Sequence, residues 1–447
     1  MKRLMLAAMQ SGAGKTVMSC ALMAALKARG LDVRAFKCGP DYIDPMFHSR
    51  VLGVSSRSLD LFLQGEAGVR RSLGRGAGQI AVLEAAMGYY DGLGCTDAYS
   101  TYALARLTKT PVILVVRPGG SSLTLAAQIC GLRDFRDESG LAGILLNACP
   151  EGRFQTLRAS LEAETGLPVL GFLPPMEEAK IESRHLGLVT AGEIADLETR
   201  FRLLAAQLER SADLDRLLAL ASADDPAPEP PPVAAPRCRI ALARDEAFCF
   251  CYQDSLDALR EAGAEIAAFS PLRDAKLPEG IDGVYLPGGY PELYARALSE
   301  NAAMRGSVRR ALASGMPTVA ECGGFLYLQE SLEDEHGAAW PMCGALPGRG
   351  FKTEKLRRFG YETLCAPENS LLFRALERVP AHEFHYWDSS ENGSALLAEK
   401  ADGRRFRYGY ASESLYAAFP HLHLDGEARL AERFVKACEA WKNSKNS

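Results

Sequence analysis

Cys322 closes an apolar run, Thr318-Val319-Ala320-Glu321, and is followed at once by Gly323 and Gly324. A strand that turns this sharply into a helix exposes the side chain at the turn. A thiol there can act as a nucleophile, because a helix N-terminus lowers its pKa and offers N–H groups to a developing oxyanion. A second apolar run, Gly283-Val284-Tyr285-Leu286, leads into Gly288 and Gly289, where the backbone can pass close to a substrate and supply another donor. His421 and His423 bring imidazoles about a hundred positions downstream, the usual separation when nucleophile and base meet only in the fold. A lone cysteine in such a turn is more often core than catalyst. The two glycine turns and the histidines favour chemistry.

This set resembles the class I glutamine amidotransferases, in which a cysteine on such an elbow takes the amide of L-glutamine and releases ammonia. The resemblance implies Cys322 as nucleophile, His421 as base, and Gly288, Gly289 and Gly323 as the oxyanion pocket. Many members carry glutamate two places after the histidine, and this chain has His423 there. Released ammonia needs an acceptor, so the rest of the chain should make one.

The N-terminal half offers the chemistry for that. Ser11-Gly12-Ala13-Gly14-Lys15-Thr16 follows a short apolar strand and opens an amphipathic segment, the setting of a phosphate-binding loop. Backbone N–H groups of Ser11, Gly12 and Gly14 would cradle the phosphates of ATP, Lys15 would reach the outer ones, and Thr16 would ligate Mg2+. A strand over 32–36 delivers Asp41, Tyr42 and Asp44 to the sheet edge where ligands bind, and either carboxylate could hold magnesium or the acceptor. Glu84 ends a strand over 79–83 and stands where a second magnesium ligand is expected, with Asp91 just beyond. Arg184 and His185 could meet phosphate or a carboxylate-rich ligand.

Four runs then occur in a specific order: the Ser-Gly-x-Gly-Lys-Thr loop, Lys37-Cys-Gly-Pro-Asp-Tyr-Ile-Asp-Pro45, Glu84-Ala-Ala-Met-Gly-Tyr-Tyr-Asp-Gly92 and Arg184-His-Leu-Gly-Leu188. Together with Asp245-Glu-Ala-Phe-Cys-Phe-Cys-Tyr252 and His382-Glu-Phe-His-Tyr386 they resemble the cobyrinic acid a,c-diamide synthase family over nearly the whole chain. That family joins a dethiobiotin synthetase-like ATPase to a glutamine amidotransferase domain. The resemblance implies a ligase using ATP, L-glutamine and Mg2+, with Thr16, Asp41 and Glu84 toward the metal. It places Tyr42, Asp44, Asp91, Arg184 and His185 toward a small tetrapyrrole acceptor. Cobyrinic acid, hydrogenobyrinic acid and nickel-sirohydrochlorin all fit these motifs, and an ATPase switch of the partitioning type with an inactive amidotransferase module is the alternative from another class. Ala8, Ser58, Ala85 and Arg117 depart from the family pattern.

The elements that must hold these residues follow from pattern. Further strands over 111–116, 141–146 and 167–173 alternate with helical stretches, which predicts an α/β doubly wound parallel sheet. Residues 198–220 read as a closing helix, 222–237 as a proline-rich linker, and 238–447 as a second α/β domain of the class I amidotransferase type after a first domain over 1–221. At 447 residues, with 47% hydrophobic and 24% charged residues, the chain has ample core for both. A net charge of −5 gives no footprint for nucleic acid or an anionic membrane, and no run reaches the length of a membrane span. With no export signal, twelve scattered cysteines read as reduced thiols in the cytoplasm.

Overall fold

The structure, a computed structural model, describes residues 1–76, 78–179, 181, 191–221, 229, 232–426 and 429–445. It divides into two compact units, Met1–Leu61 with Gly65–Pro230 and Phe62–Gln64 with Pro231–Ser447.

In the first unit seven strands run in chain order: β1 Lys2–Ala7, β2 Val33–Cys38, β3 Ser56–Leu59, β4 Ile80–Glu84, β5 Val112–Val116, β6 Leu141–Asn147 and β7 Val169–Leu173. They form one sheet in the order β3-β2-β4-β1-β5-β6-β7, and every pairing is parallel. Parallel strands need crossovers, so both faces are covered and the central strands are apolar throughout, as Val112-Ile-Leu-Val-Val116 is. The alternation of β1 shows the two layers. Leu4 and Leu6 pack with Met18, Leu22, Phe201 and Leu204 on one side, while Met5 and Ala7 pack with Leu83, Tyr102 and Leu104 on the other. Two details differ from expectation. The edge strand β3, Ser56-Arg57-Ser58-Leu59, has no apolar alternation to announce it. The closing helical stretch is two helices, Ala191–Ser211 and Leu214–Leu220, because Asp213 leaves helical geometry and caps the second by accepting from the Arg216 N–H at 2.9 Å.

The second unit begins with β8 Cys238–Ala243, β9 Phe248–Phe250, β10 Ala264–Phe269, β11 Gly283–Leu286, β12 Gly288–Gly289 and β13 Thr318–Glu321. It continues with β14 Ser331–Glu333, β15 Ala339–Pro341, β16 Arg349–Cys365, β17 Arg378–Ser389, β18 Leu396–Lys400, β19 Arg405–Tyr408, β20 Tyr410–Ala411, β21 Leu415–Ala418 and β22 His421–Leu422. A six-stranded sheet of order β10-β8-β11-β13-β21-β20 is parallel apart from its β20 edge. Ile240 and Leu242 face one core, and Ala241 and Ala243 face another. A second, seven-stranded sheet joins β14 through β19 with β22, mostly antiparallel, around the long pair β16–β17. The α/β expectation holds for the first of these sheets; the second was not foreseen. Among the described residues no helix is long and apolar enough to cross a membrane.

Candidate active sites

In the first unit the loop after β1 feeds the helix Lys15–Ala28. Gly14 takes φ 91°, and a side chain there would also collide with Asn147, whose Nδ2 would lie 1.9 Å from the new carbon. Asn147 closes β6 and donates to the Ala13 carbonyl at 2.9 Å, so a strand end pins the loop. Ser11 and Gly12 stay exposed on the loop. Lys15 folds back over the loop, donating from Nζ to the Gln10 carbonyl at 3.3 Å and the Met87 carbonyl at 2.6 Å. Burial, then the charge of Lys37, lowers its pKa, which leaves it ready to gain an anionic partner.

Below the loop lies a buried ionic cluster. Thr16 Oγ1 donates to Glu84 Oε1 at 2.6 Å, Lys37 Nζ stands 3.0 Å from the same oxygen, and His48 Nε2 stands 3.0 Å from Oε2. The other nitrogen of His48 meets Ser56 Oγ at 3.0 Å, which fixes the ring against β3. Lys37 also pairs with Asp44. Burial resists ionisation of Glu84, but Lys37 and His48 hold its carboxyl well below the ordinary range. Burial and the Glu84 charge push Asp44 up to about 8 against the pull of Lys37. Asp41 is turned elsewhere: its Oδ1 accepts from the Ile43 N–H at 2.7 Å at the head of the helix Ile43–Arg50, with Tyr42 half-buried between. Asp91 accepts from the Gly88 N–H at 2.9 Å and shapes the turn that meets Lys15. Arg184 and His185 lie outside the described residues. Thr16 and Glu84 present hard oxygens side by side under the loop, a donor set that suits magnesium shared with phosphates. Among the described residues no cluster of three or more His, Cys, Asp or Glu makes a self-sufficient cage. Lys37, His48, Ser56 and Asn147 were not singled out from sequence as site residues. Of these Lys37 and Asn147 carried a signal, their place at the end of a strand.

In the second unit Cys322 follows β13 with φ 49° and ψ −105°, a strained positive-φ conformation held by the elbow, and stands at the N-cap of the short helix Gly323–Leu328. A side chain at Gly323 would come within 2.8 Å of Pro291 Cδ and 3.1 Å of the Gly289 nitrogen. At Gly288 it would come within 2.5 Å of His421 Cε1 and 3.4 Å of Cys322 Cβ. The two glycine turns, the thiol and the imidazole therefore converge on one point. His421 sits on β22, in register with His382 of β17. His423 packs its ring 4.8 Å from Tyr252.

Glu321, the residue before Cys322, secures the strand of His421. It is fully buried, its Oε1 accepts from the Leu422 N–H at 2.9 Å, and its Oε2 meets the Tyr285 hydroxyl at 3.0 Å. The strand that carries His421 is thus tied to the strand that leads to Cys322. Burial pushes Glu321 up to about 8. In the motif His382-Glu383-Phe384-His385-Tyr386, His382, Glu383 and His385 are buried and Phe384 and Tyr386 exposed. Glu383 is held by Arg358 at 2.9 Å and His385 at 2.7 Å, and Arg358 also pairs with Asp388 at 3.0 Å. Burial, then the charge of neighbouring Lys400, drives His382 down to about 4. His421 is driven down to about 3 by burial and by His382 and His385. Burial, followed by the charges of Glu292 and Glu383, raises the Cys322 thiol, while the Gly323 N–H pulls the other way. The resting pair is a neutral thiol beside a neutral imidazole, an imidazole able to take a proton.

Comparison with known proteins agrees with this division. Residues 4–189 match the family described as the CobQ/CobB/MinD/ParA nucleotide binding domain, and residues 239–429 match the CobB/CobQ-like glutamine amidotransferase domain. Fold and matches together define the class: a glutamine-dependent ligase with a nucleotide-binding unit and an amidotransferase unit in one chain. Curated relatives extend the match across the full length. The cobyrinate a,c-diamide synthase of Clostridium acetobutylicum is 38% identical over 98% of this chain and 100% of its own. That of Listeria monocytogenes is 39% identical over 95% and 96%, and that of Priestia megaterium 34% over 99% and 98%. The chain belongs to the cobyrinate a,c-diamide synthase family.

Proposed function

We propose that the chain amidates the a and c side-chain carboxylates of cobyrinic acid, spending one ATP and one glutamine on each. The observation that carries this reading is the end-to-end likeness to cobyrinate a,c-diamide synthases, with the thiol, the imidazole and both glycine turns gathered in one place. A carboxylate is a poor electrophile because oxide would have to leave. Transfer of the γ-phosphoryl group of ATP makes an acyl phosphate, ammonia adds to its carbonyl, and phosphate departs. Lys15 meets the charge gathered on the transferring group, and Ser11, Gly12 and Gly14 present the loop N–H groups to the phosphates. Thr16, Asp41 and Glu84 are the residues assigned to Mg2+, which when bound would offset phosphate charge; Asp41 would have to leave the Ile43 N–H to join the other two. Tyr42, Asp44, Asp91, Arg184 and His185 are the residues assigned to the acceptor. At the other site Cys322 adds to the glutamine amide as His421 takes the thiol proton. Gly288, Gly289 and Gly323 receive the oxyanion, and His421 returns the proton to the departing ammonia. Water then cleaves the glutamyl thioester to glutamate. The domain division that goes with this is a synthetase domain over 1–221, a linker over 222–237 and an amidotransferase domain over 238–447.

The test offers cobyrinic acid, hydrogenobyrinic acid and nickel-sirohydrochlorin separately to the purified protein with ATP, magnesium and glutamine. The reading expects cobyrinic acid to gain two amides with release of two ADP. Glutamine hydrolysis without product on any acceptor would overturn the substrate assignment, and product on another macrocycle would replace it.

A further inference from the structure

Glutamine is a zwitterion, so a site that takes its amide must also meet an α-ammonium and an α-carboxylate. The short turn Pro291–Tyr294 lies on the elbow itself, with Pro291 packed where a side chain at Gly323 would collide. Glu292 is the second residue of that turn and is half-buried. Three carboxylates bear on the Cys322 thiol by charge: Glu292 most strongly, then Glu383 and Glu321. Two of them are committed within the fold, Glu383 to Arg358 and His385, and Glu321 to Leu422 and Tyr285. Among the described residues Glu292 has no such side-chain partner, and its carboxylate accepts only from its own backbone N–H. Burial raises it to about 7, and the charge of Glu335, negative as well, adds to the rise. A carboxylate drawn out of water without a cation is a costly feature unless the cation arrives with the ligand.

We propose that Glu292 receives the α-ammonium of glutamine and thereby selects glutamine over amides that lack this charge. The inference rests on Cys322 being the glutaminase nucleophile. With the turn packed beside the elbow, Glu292 would hold the ammonium while the side-chain amide reaches the thiol. Glu292 binds substrate and takes no part in proton transfer, so its loss weakens capture and leaves the chemistry of a bound amide intact.

The experiment measures hydrolysis of L-glutamine and of glutaramate, the same chain without the α-amino group, by the wild type, Glu292→Gln and Glu292→Asp. The expected result is a rise of about ten- to hundredfold in KM for glutamine in Glu292→Gln, the size of one lost charge-assisted hydrogen bond, with kcat little changed. Glutaramate turnover should be the same in wild type and variant, so the preference collapses, and Glu292→Asp should restore part of it. Ammonia-supported amidation, which bypasses this site, reports that each variant is folded. An unchanged KM, or equal losses on glutamine and glutaramate in a folded variant, overturns the inference alone. A wild type that hydrolyses no glutamine overturns the glutaminase reading and this inference together.

Discussion

Gly288→Ala is the sharpest perturbation of the amidotransferase site. The added carbon would stand 2.5 Å from His421 Cε1 and 3.4 Å from Cys322 Cβ. Carbon atoms in contact sit about 3.5–4.0 Å apart, so the imidazole would have to retreat by roughly 1 Å or more. It is buried on β22, paired to β17, and its strand is tied by Glu321, so a retreat displaces the imidazole from the thiol. A misplacement of that size costs about a hundredfold in rate. The assay is glutamate release from glutamine without acceptor, beside ammonia-supported amidation and thermal unfolding. Glutaminase turnover should fall by about a hundredfold while amidation from ammonia persists. Gly152→Ala serves as the control, since nothing lies within 4 Å of its added carbon in the helix Glu151–Thr165. Undiminished glutamine hydrolysis in a folded Gly288→Ala protein would refute the convergence of Cys322 and His421 on Gly288.

Other consequences can be checked independently. Glu321→Ala leaves the buried Leu422 N–H and Tyr285 hydroxyl without their acceptor. At about 1–3 kcal/mol per buried group it should lose roughly 2–6 kcal/mol in denaturant unfolding. Glu321→Gln, which keeps an oxygen for Leu422, should lose much less, and equal losses would argue against the tether. With the Cys322 thiol raised and His421 held down to about 3, alkylation of Cys322 should keep accelerating from about pH 7 to about pH 9; a rate already level at neutrality would reveal a preformed thiolate. His382 and His421 are neutral in the fold at about 4 and about 3, against 6.5 as free side chains. The unfolded chain therefore binds more protons, and stability falls as pH drops below 6.5. His382→Asn should remove about one proton from that dependence, near 1.4 kcal/mol per pH unit between about pH 6 and about pH 5 in urea titrations; an unchanged slope would show that His382 is already charged.

The parts of the fold visible in sequence were those whose signal is local. Val112-Ile-Leu-Val-Val116 announces a strand buried on both faces, and Glu321-Cys322-Gly323-Gly324 announces an elbow, because each depends only on neighbours in the chain. Ser56–Leu59 gave no such signal, since an edge strand needs little apolar surface. The strand Arg349–Cys365 was hidden by its own composition: Lys352, Glu354, Lys355 and Arg357 point to solvent across two shifts in register. At the sites, the residue types were legible and their partners were not. Glu321 reads as a strand-end charge until β13 and β22 are brought together across a hundred and one positions. Likewise His48 looks like an ordinary helix residue until Glu84 and Ser56 close on its two nitrogens. The resemblance put Asp41 toward the metal and Asp44 toward the acceptor; in the fold the helix start turns Asp41 toward its own backbone and Asp44 toward Lys37, partners no local pattern announces.

The central claim is that nitrogen taken from glutamine at Cys322 ends on the acceptor activated at the phosphate loop. The most direct measurement supplies glutamine labelled with 15N at its side-chain amide, together with ATP, magnesium and cobyrinic acid, to the wild type and to Cys322→Ala, and weighs the product. The account expects two labelled nitrogens in the wild-type product, none from the variant with glutamine alone, and unlabelled diamide from the variant once ammonium is added. Labelled product from Cys322→Ala, or wild-type diamide that carries no label, would contradict it.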